Sequence, residues 1–135
     1  MKAIRIHFAN SGDELRMEEV PQPVPKADEV MVRMQAIGVN RADLGRRRTV
    51  SEGEQEPPRI PGLDVAGVVE SVGANVTNWH PGDHVIALVR GAYAEYSVAP
   101  SILTFRPPVG MSTTDAASLP CVFLTAWYAF QMAGL

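Results

Sequence analysis

Alternating apolar and polar residues predict three strands within the first 37 positions of the chain. Residues 2–8, KAIRIHF, place two isoleucines and a phenylalanine on one face, as expected of a half-buried strand. A Gly12-Asp13 turn leads into residues 14–20, which complete a predicted hairpin. Three prolines between positions 21 and 25 then form an extended connector, because proline fixes φ and has no N–H to donate. Residues 29–37 alternate again and predict a third strand whose valines, Met34 and Ala36 face the core.

Valine-rich runs beside glycines predict the remainder of a sheet. The run 65–72 lies between Gly62 and Gly73 with Gly67 inside it, which is typical of a buried strand with tight bends at its ends. Pro81-Gly82 suits the central positions of a type II turn. We therefore expect strands at about 63–73, 83–89 and 93–99.

Three further segments have the composition of helices. Residues 40–48 predict a short helix with Asn40 as its N-cap, and the polar stretch 49–58 predicts an exposed loop. A capping-box pattern, Ser112-Thr-Thr-Asp115, precedes a second helix, which Pro120 is expected to break or restart. Residues 121–133 predict a helix that is apolar nearly all round.

Composition and charge narrow the class of protein. The 135 residues fit one domain, and a hydrophobic share of 46% is enough for a core. A net charge of −3 does not favour nucleic acid as a partner, and the apolar runs are far shorter than the ~20 residues that span a bilayer. No signal-peptide pattern opens the chain, and its single cysteine excludes an internal disulfide. We therefore expect a cytoplasmic protein.

Four blocks carry a resemblance to a known family, and they occur along the chain in that family's order. They are GVNRAD at 38–43, IPGLDVAGVVESVG at 60–73, GAYAEY at 91–96 and LPCVFLT at 119–125. The chain resembles the N-terminal, GroES-like domain of the medium-chain dehydrogenase/reductase superfamily over residues 1–135. The resemblance implies a β-rich α+β fold, a partly open β-barrel with two or three short helices.

The positions that bind zinc in many members of this superfamily are changed here. Asn40 stands where zinc members carry a cysteine, and Leu63-Asp64 stands where they carry a His-Glu pair. Cys121 corresponds to a third ligand position but has no companion cysteine, and catalytic zinc usually needs three protein ligands. We therefore expect no metal site, and the resemblance is to the zinc-independent quinone oxidoreductases.

The same resemblance implies the residues of a cleft. Asn40 and Asp43 would line the catalytic, hydride-transfer site, and Asn40, Arg47 and Thr125 would contact the cofactor, NADPH or NADH. Each residue has a plainer interpretation as well. Asn40 can be a helix cap, Asp43 can stabilise a first helical turn, Arg47 can belong to a solvated helix end and Thr125 can bond its own helix. Val50–Pro58 also lacks the tyrosine that quinone reductases usually carry there.

The function implied is NAD(P)H-dependent reduction of a quinone, enone or related carbonyl by hydride transfer. The sequence contains no Gly-x-Gly-x-x-Gly pattern, so the Rossmann domain is expected to be supplied in cis or in trans and these residues alone to be inactive. The apolar segment 121–133 implies a homo-oligomer. Two alternatives stay open: a binding or scaffold module without catalysis, and part of an enoyl-thioester reductase.

Overall fold

A computed structural model describes residues 1–7, 14–45 and 59–135 of the chain. The described strands are β1 (Lys2–His7), β2 (Glu14–Glu19), β3 (Glu29–Gly38), β4 (Asp64–Val72), β5 (His84–Leu88), β6 (Tyr96–Pro100) and β7 (Thr104–Phe105). The described helices are α1 (Arg41–Gly45), α2 (Thr113–Ala116) and α3 (Leu119–Met132), with a short 3-10 turn at Ser101–Leu103. None of the helices in these ranges is long and apolar enough to cross a membrane.

The predicted N-terminal hairpin is confirmed, since β1 and β2 pair antiparallel along their whole length. Burial within β1 differs from the predicted alternation, because Ala3 and Ile6 are both buried although they lie on opposite faces. Ala3 forms a bridge to Ala94, so both faces of β1 contact the rest of the molecule. Phe8 and the Gly12-Asp13 turn lie outside the described residues.

The other five described strands form one antiparallel sheet in the order β6-β3-β4-β5-β7. The sheet is curled into a half-barrel and is not closed between β6 and β7, as the predicted partly open barrel requires. Two register shifts between β3 and β4 contribute to this curvature, since a bulge bends a strand and increases its twist. The predicted strand at 93–99 begins later, at Tyr96, because the Tyr93 N–H bonds to the Pro61 carbonyl outside the sheet ladder.

The predicted valines form the centre of the core. Five of them are almost completely buried, with Trp79 beside them: Val30, Val32, Val65, Val69 and Val85. Met34 and Ala36 are only partly buried, because β3 leaves the centre of the core after Val32. Gly67 lies so close to the neighbouring strand that a Cβ would stand 2.2 Å from the Arg33 carbonyl oxygen.

The predicted turn and helix signals are largely confirmed. Gly82 has φ of +96°, and the Asp83 N–H donates to the His80 carbonyl at 3.1 Å, as a type II turn requires. Ser112 caps α2 by accepting the Asp115 N–H at 3.1 Å. Pro120 lies in the first turn of α3, where its missing N–H costs no helical hydrogen bond, so it restarts the helix.

Candidate functional site

A fully buried carboxylate stands where three elements meet. Asp64 begins β4 and is only 1% exposed. Its Oδ1 accepts the backbone N–H of Cys121 at 2.7 Å, and its Oδ2 accepts the side-chain amide Nδ2 of Asn40 at 2.7 Å. These two bonds join β4 to the start of α3 and to the residue before α1.

The Asn40 side chain was a candidate N-cap of α1, but its amide nitrogen bonds Asp64. Its amide is turned to Asp64, and the carboxylate of Asp43 reaches back to accept the Asn40 backbone N–H at 2.9 Å. The Asp43 N–H in turn donates to the Asn40 carbonyl at 3.0 Å. The side chain of Asp43 thus bonds back to the residue before the helix, as the third residue of a capping box does, which agrees with the interpretation that Asp43 stabilises the first turn.

Asp43 is the second buried carboxylate of the site, at 6% exposed. Its Oδ2 accepts the Tyr93 hydroxyl at 3.1 Å in addition to the Asn40 N–H. Its Oδ1 is buried and has no hydrogen-bond partner within the described part of the chain. A buried carboxylate oxygen without a donor is costly, so this atom is a position where a bound donor group would gain the most.

Gly62 positions the tyrosine. It has φ of +96°, and a Cβ added there would stand 2.5 Å from Cδ1 of the Tyr93 ring. Only glycine leaves room for the ring at this distance while it adopts that backbone conformation. Tyr93 packs against the core with its ring, and its hydroxyl reaches Asp43.

Two groups of the site, the Asp64 carboxyl and the Tyr93 hydroxyl, have raised pKa values. Burial raises the pKa of Asp64 above its ordinary value, although the hydrogen bonds from Asn40 and Cys121 act in the opposite direction. Burial, together with the negative charge of Asp43, raises the pKa of Tyr93 to about 12. Tyr93 is therefore a hydrogen-bond donor to Asp43 throughout the neutral range.

The other two predicted cofactor contacts, Thr125 and Arg47, are not part of these hydrogen-bonded groups within the described residues. Thr125 is exposed on α3, one helical turn after Cys121 and on the same face of the helix. The structure shows no hydrogen bond from Thr125 to Asn40 or Asp43 within the described ranges, so its role stays a prediction. Arg47 and the Val50–Pro58 segment lie outside the described residues.

Sequence reasoning omitted two members of this site. A signal for Asp64 was available, because a carboxylate at the head of a valine-rich buried strand needs internal partners. Tyr93 gave no such signal, since an aromatic residue in a sheet is commonly explained by packing alone. What links it to Asp43 is a contact between residues that are 50 positions apart.

The candidate metal ligands do not form a cluster. Nowhere in residues 1–7, 14–45 and 59–135 are three or more histidine, cysteine, aspartate or glutamate side chains grouped as a metal site would need. His80 and His84 are exposed at and after the type II turn. That the protein is zinc-independent stays a prediction, which a measurement of its zinc content can test.

Comparison with known proteins identifies relatives of this domain. Residues 26–108 match the model of the alcohol dehydrogenase GroES-like domain. The chain is 42% identical over 107 residues to the synaptic vesicle membrane protein VAT-1 homolog of Danio rerio, covering 78% of this chain and 22% of that protein. It is 33% identical over 132 residues to the quinone oxidoreductase of Lama guanicoe, covering 96% of this chain and 40% of that protein.

Solved structures share the fold. The Escherichia coli quinone oxidoreductase complexed with NADPH superposes with a TM-score of 0.82 at 25% identity, over 96% of this chain and 40% of that one. The human synaptic vesicle membrane protein VAT-1 homolog-like protein superposes with a TM-score of 0.82 at 30% identity, over 100% of this chain and 45% of that one. The chain thus spans less than half the length of these relatives.

Proposed function

Because the chain belongs to the alcohol dehydrogenase GroES-like family of the medium-chain dehydrogenase/reductase superfamily, we propose that it is the substrate-side domain of an NAD(P)H-dependent oxidoreductase. The proposed reaction is reduction of a quinone, enone or related carbonyl by hydride transfer. The observation that carries this proposal is the pair Asn40 and Asp43, held by buried bonds with one carboxylate oxygen left for a bound donor.

The site has hydrogen-bond acceptors that could orient the N–H groups of a nicotinamide carboxamide. When bound, the cofactor supplies the hydride. The Asp43 Oδ1 would accept one hydroxyl or N–H of a bound molecule, and the Asn40 amide would offer a second, neutral contact. The other Asp43 oxygen, Oδ2, already accepts the Tyr93 hydroxyl and the Asn40 backbone N–H, so Oδ1 is the oxygen left for a ligand donor.

Two further residues complete the proposed cofactor contact. Thr125 would pack against the nicotinamide from α3, and Arg47 would provide a positive charge beside the cleft. NADPH is named for two of the solved relatives and NAD for a third, so we propose NADPH or NADH as the cofactor of the complete enzyme. We propose that the enzyme contains no zinc and works in the cytoplasm.

The 135 residues by themselves should bind NADPH very weakly. Nucleotide phosphates normally gain their contacts from a glycine-rich turn and a helix N-terminus, and these residues encode no Gly-x-Gly-x-x-Gly pattern. Titration calorimetry should therefore detect no NADPH binding at micromolar concentrations. Micromolar binding would show that the cofactor site has been misplaced.

Fusion to the nucleotide-binding domain of a relative tests the function directly. We expect the fusion to bind NADPH and to reduce a quinone. Asn40→Ala and Thr125→Val should each lower turnover by about tenfold or more. Thr125→Val should change the melting temperature little, whereas Asn40→Ala should also lower it, because the buried Asp64 carboxylate loses one of its two donors. Asn75→Ala is the matched control, because Asn75 also donates its amide to an aspartate but does so at the exposed turn near Asp28. A fusion that binds NADPH and reduces no quinone or enone would contradict the proposed substrate class.

A further inference from the structure

Asp64 fixes which atom of Asn40 faces it. An ionised carboxylate only accepts hydrogen bonds, so the Asn40 atom at 2.7 Å from Oδ2 must be the amide nitrogen. The Asn40 oxygen, Oδ1, is consequently on the side away from Asp64. An isolated asparagine could turn its amide over and exchange donor for acceptor, and the carboxylate removes that freedom.

The carboxylate is itself held rigidly. Cys121 is the third residue of α3, where a helix leaves an N–H without an internal partner, and Asp64 Oδ1 accepts it at 2.7 Å. Pro120 has no N–H to offer, and Ser118, the N-cap, makes no side-chain cap bond. Asp64 therefore caps α3 from a different element, and this anchors the orientation of its second oxygen.

The backbone at Gly38 packs closely against the Asp64 side chain. A Cβ at Gly38 would stand 2.7 Å from the Asp64 Cβ and 3.0 Å from its Oδ2. The chain at the end of β3 thus passes directly over the carboxylate, and Asn40 follows two residues later. Glycine at position 38 brings the Asn40 amide within reach of Asp64.

We propose that Asp64 is a positioning residue that locks the Asn40 amide with its oxygen presented to the cleft, so that the site selects a ligand group bearing an N–H or O–H donor. This inference rests on the proposed function and adds a residue that does not itself touch the ligand. The acceptor at Asn40 and the acceptor at Asp43 Oδ1 together would define a site that recognises donors, as the carboxamide or hydroxyl groups of a reduced dinucleotide require.

The first test concerns the lock alone and uses the 135-residue chain. In Asp64→Asn, the side-chain carbonyl of residue 64 can still accept the Cys121 N–H. The side-chain NH2 of residue 64 then faces Asn40, so the Asn40 amide must turn over to present its oxygen to that NH2. We expect the Asn40 side-chain NH2 resonances to move upfield and to exchange faster with water by about tenfold. Asp28→Asn, which changes the exposed partner of Asn75, should leave the Asn40 resonances unchanged. Unchanged Asn40 resonances in Asp64→Asn would overturn the proposal.

The second test concerns the consequence and uses the fused enzyme. Asp64→Asn should weaken NADPH binding by about tenfold, since one well-placed hydrogen bond to a ligand is lost. The exchange variant Asn40→Asp/Asp64→Asn lets residue 64 donate to a carboxylate at 40, which returns an acceptor to the cleft. We expect this variant to recover binding to within about threefold of the wild type.

The outcomes separate the two proposals. A role of Asp64 in stability alone would leave the NADPH affinity of the folded Asp64→Asn fusion close to that of the wild type, and that result would overturn the positioning role. Failure of the unmutated fusion to bind NADPH would refute the proposed function, while the resonances of the 135-residue chain would still decide whether Asp64 locks the Asn40 amide.

Discussion

Removing one hydroxyl group, in Tyr93→Phe, should destabilise the domain measurably. The hydroxyl donates to Asp43 Oδ2 at 3.1 Å, and Asp43 is 6% exposed, so water cannot readily replace the lost donor. A hydrogen bond to a charged group contributes about 1.5–3 kcal/mol. With an unfolding entropy of about 2.1 cal/mol/K per residue, a loss of ~2 kcal/mol lowers the melting temperature of a chain of this length by about 7 °C.

Thermal unfolding followed by circular dichroism measures the effect, and Tyr96→Phe is the matched control. Tyr96 is also half-buried, but its hydroxyl makes no hydrogen bond within the described part of the chain, so we expect a change of less than about 0.5 kcal/mol. Equal melting temperatures for the two variants would refute the reasoning, because the Asp43 bond would then contribute nothing.

Unfolding at alkaline pH is a second test of the contact between Tyr93 and Asp43. The pKa of Tyr93 is raised from 10.0 to about 12, so the folded state holds the phenolic proton more tightly than the unfolded state does. The corresponding stability is complete below pH 10 and is lost as the pH rises through 12. Tyr93→Phe should lack this part of the alkaline loss, while Tyr96→Phe should retain it.

Two other substitutions test the fold, and one measurement tests the metal content. Gly67→Ala should cost at least about 1–3 kcal/mol in urea unfolding, because its Cβ would stand 2.2 Å from a backbone oxygen of the neighbouring strand; wild-type stability would contradict that close approach. Ser112→Ala should cost about 1 kcal/mol by loss of the α2 cap, and more than Ser118→Ala, whose residue makes no cap bond to α3. Elemental analysis after dialysis should find no stoichiometric zinc, since Asn40 and Leu63 occupy ligand positions of the zinc enzymes, and about one zinc per chain would refute this.

The strands could be predicted from the sequence because their signals are local. The valines between Gly62 and Gly73 reflect which side chains face a core, and burial of apolar area is the main force that selects such patterns. Alternation also predicted the strand β1, but not its burial, because both of its faces contact the molecule. The turn at Gly82 follows from the same kind of local rule, since a positive φ is easy only for glycine. Residues 93–95 escaped this reasoning because the N–H groups of Tyr93 and Glu95 bond to Pro61 and Lys2, which are distant in the sequence.

The site could be predicted only in part, because its geometry depends on contacts between distant residues. The family resemblance pointed to Asn40 and Asp43, and both lie in buried networks. Their partners, Asp64 and Tyr93, are 24 and 50 positions away in the sequence, and no local pattern fixes which hydroxyl or amide meets which carboxylate. That is why the side chain of Asn40 was predicted to cap a helix and in fact bonds Asp64.

The end of α3 leads to a last prediction, that the 135-residue chain self-associates. Every residue from Thr125 to Leu135 is exposed, although the segment is largely apolar. Phe123, Trp127 and Phe130 follow one another at helical spacing and are 65%, 65% and 54% exposed. Aromatic side chains bury about 150–250 Å² each, so these three can form a patch of several hundred Å², which monomers rarely expose.

Sedimentation or light scattering at increasing concentration should show association, and a hydrophobic dye should bind the dilute chain. Phe123→Gln/Trp127→Gln should shift the chain toward monomer, because both changes remove apolar area from the same stripe. Ile102→Gln is the control, since Ile102 is 81% exposed at a different place on the surface and should leave association unchanged. A chain that stays monomeric at high concentration and binds no dye would show that the α3 surface does not drive association.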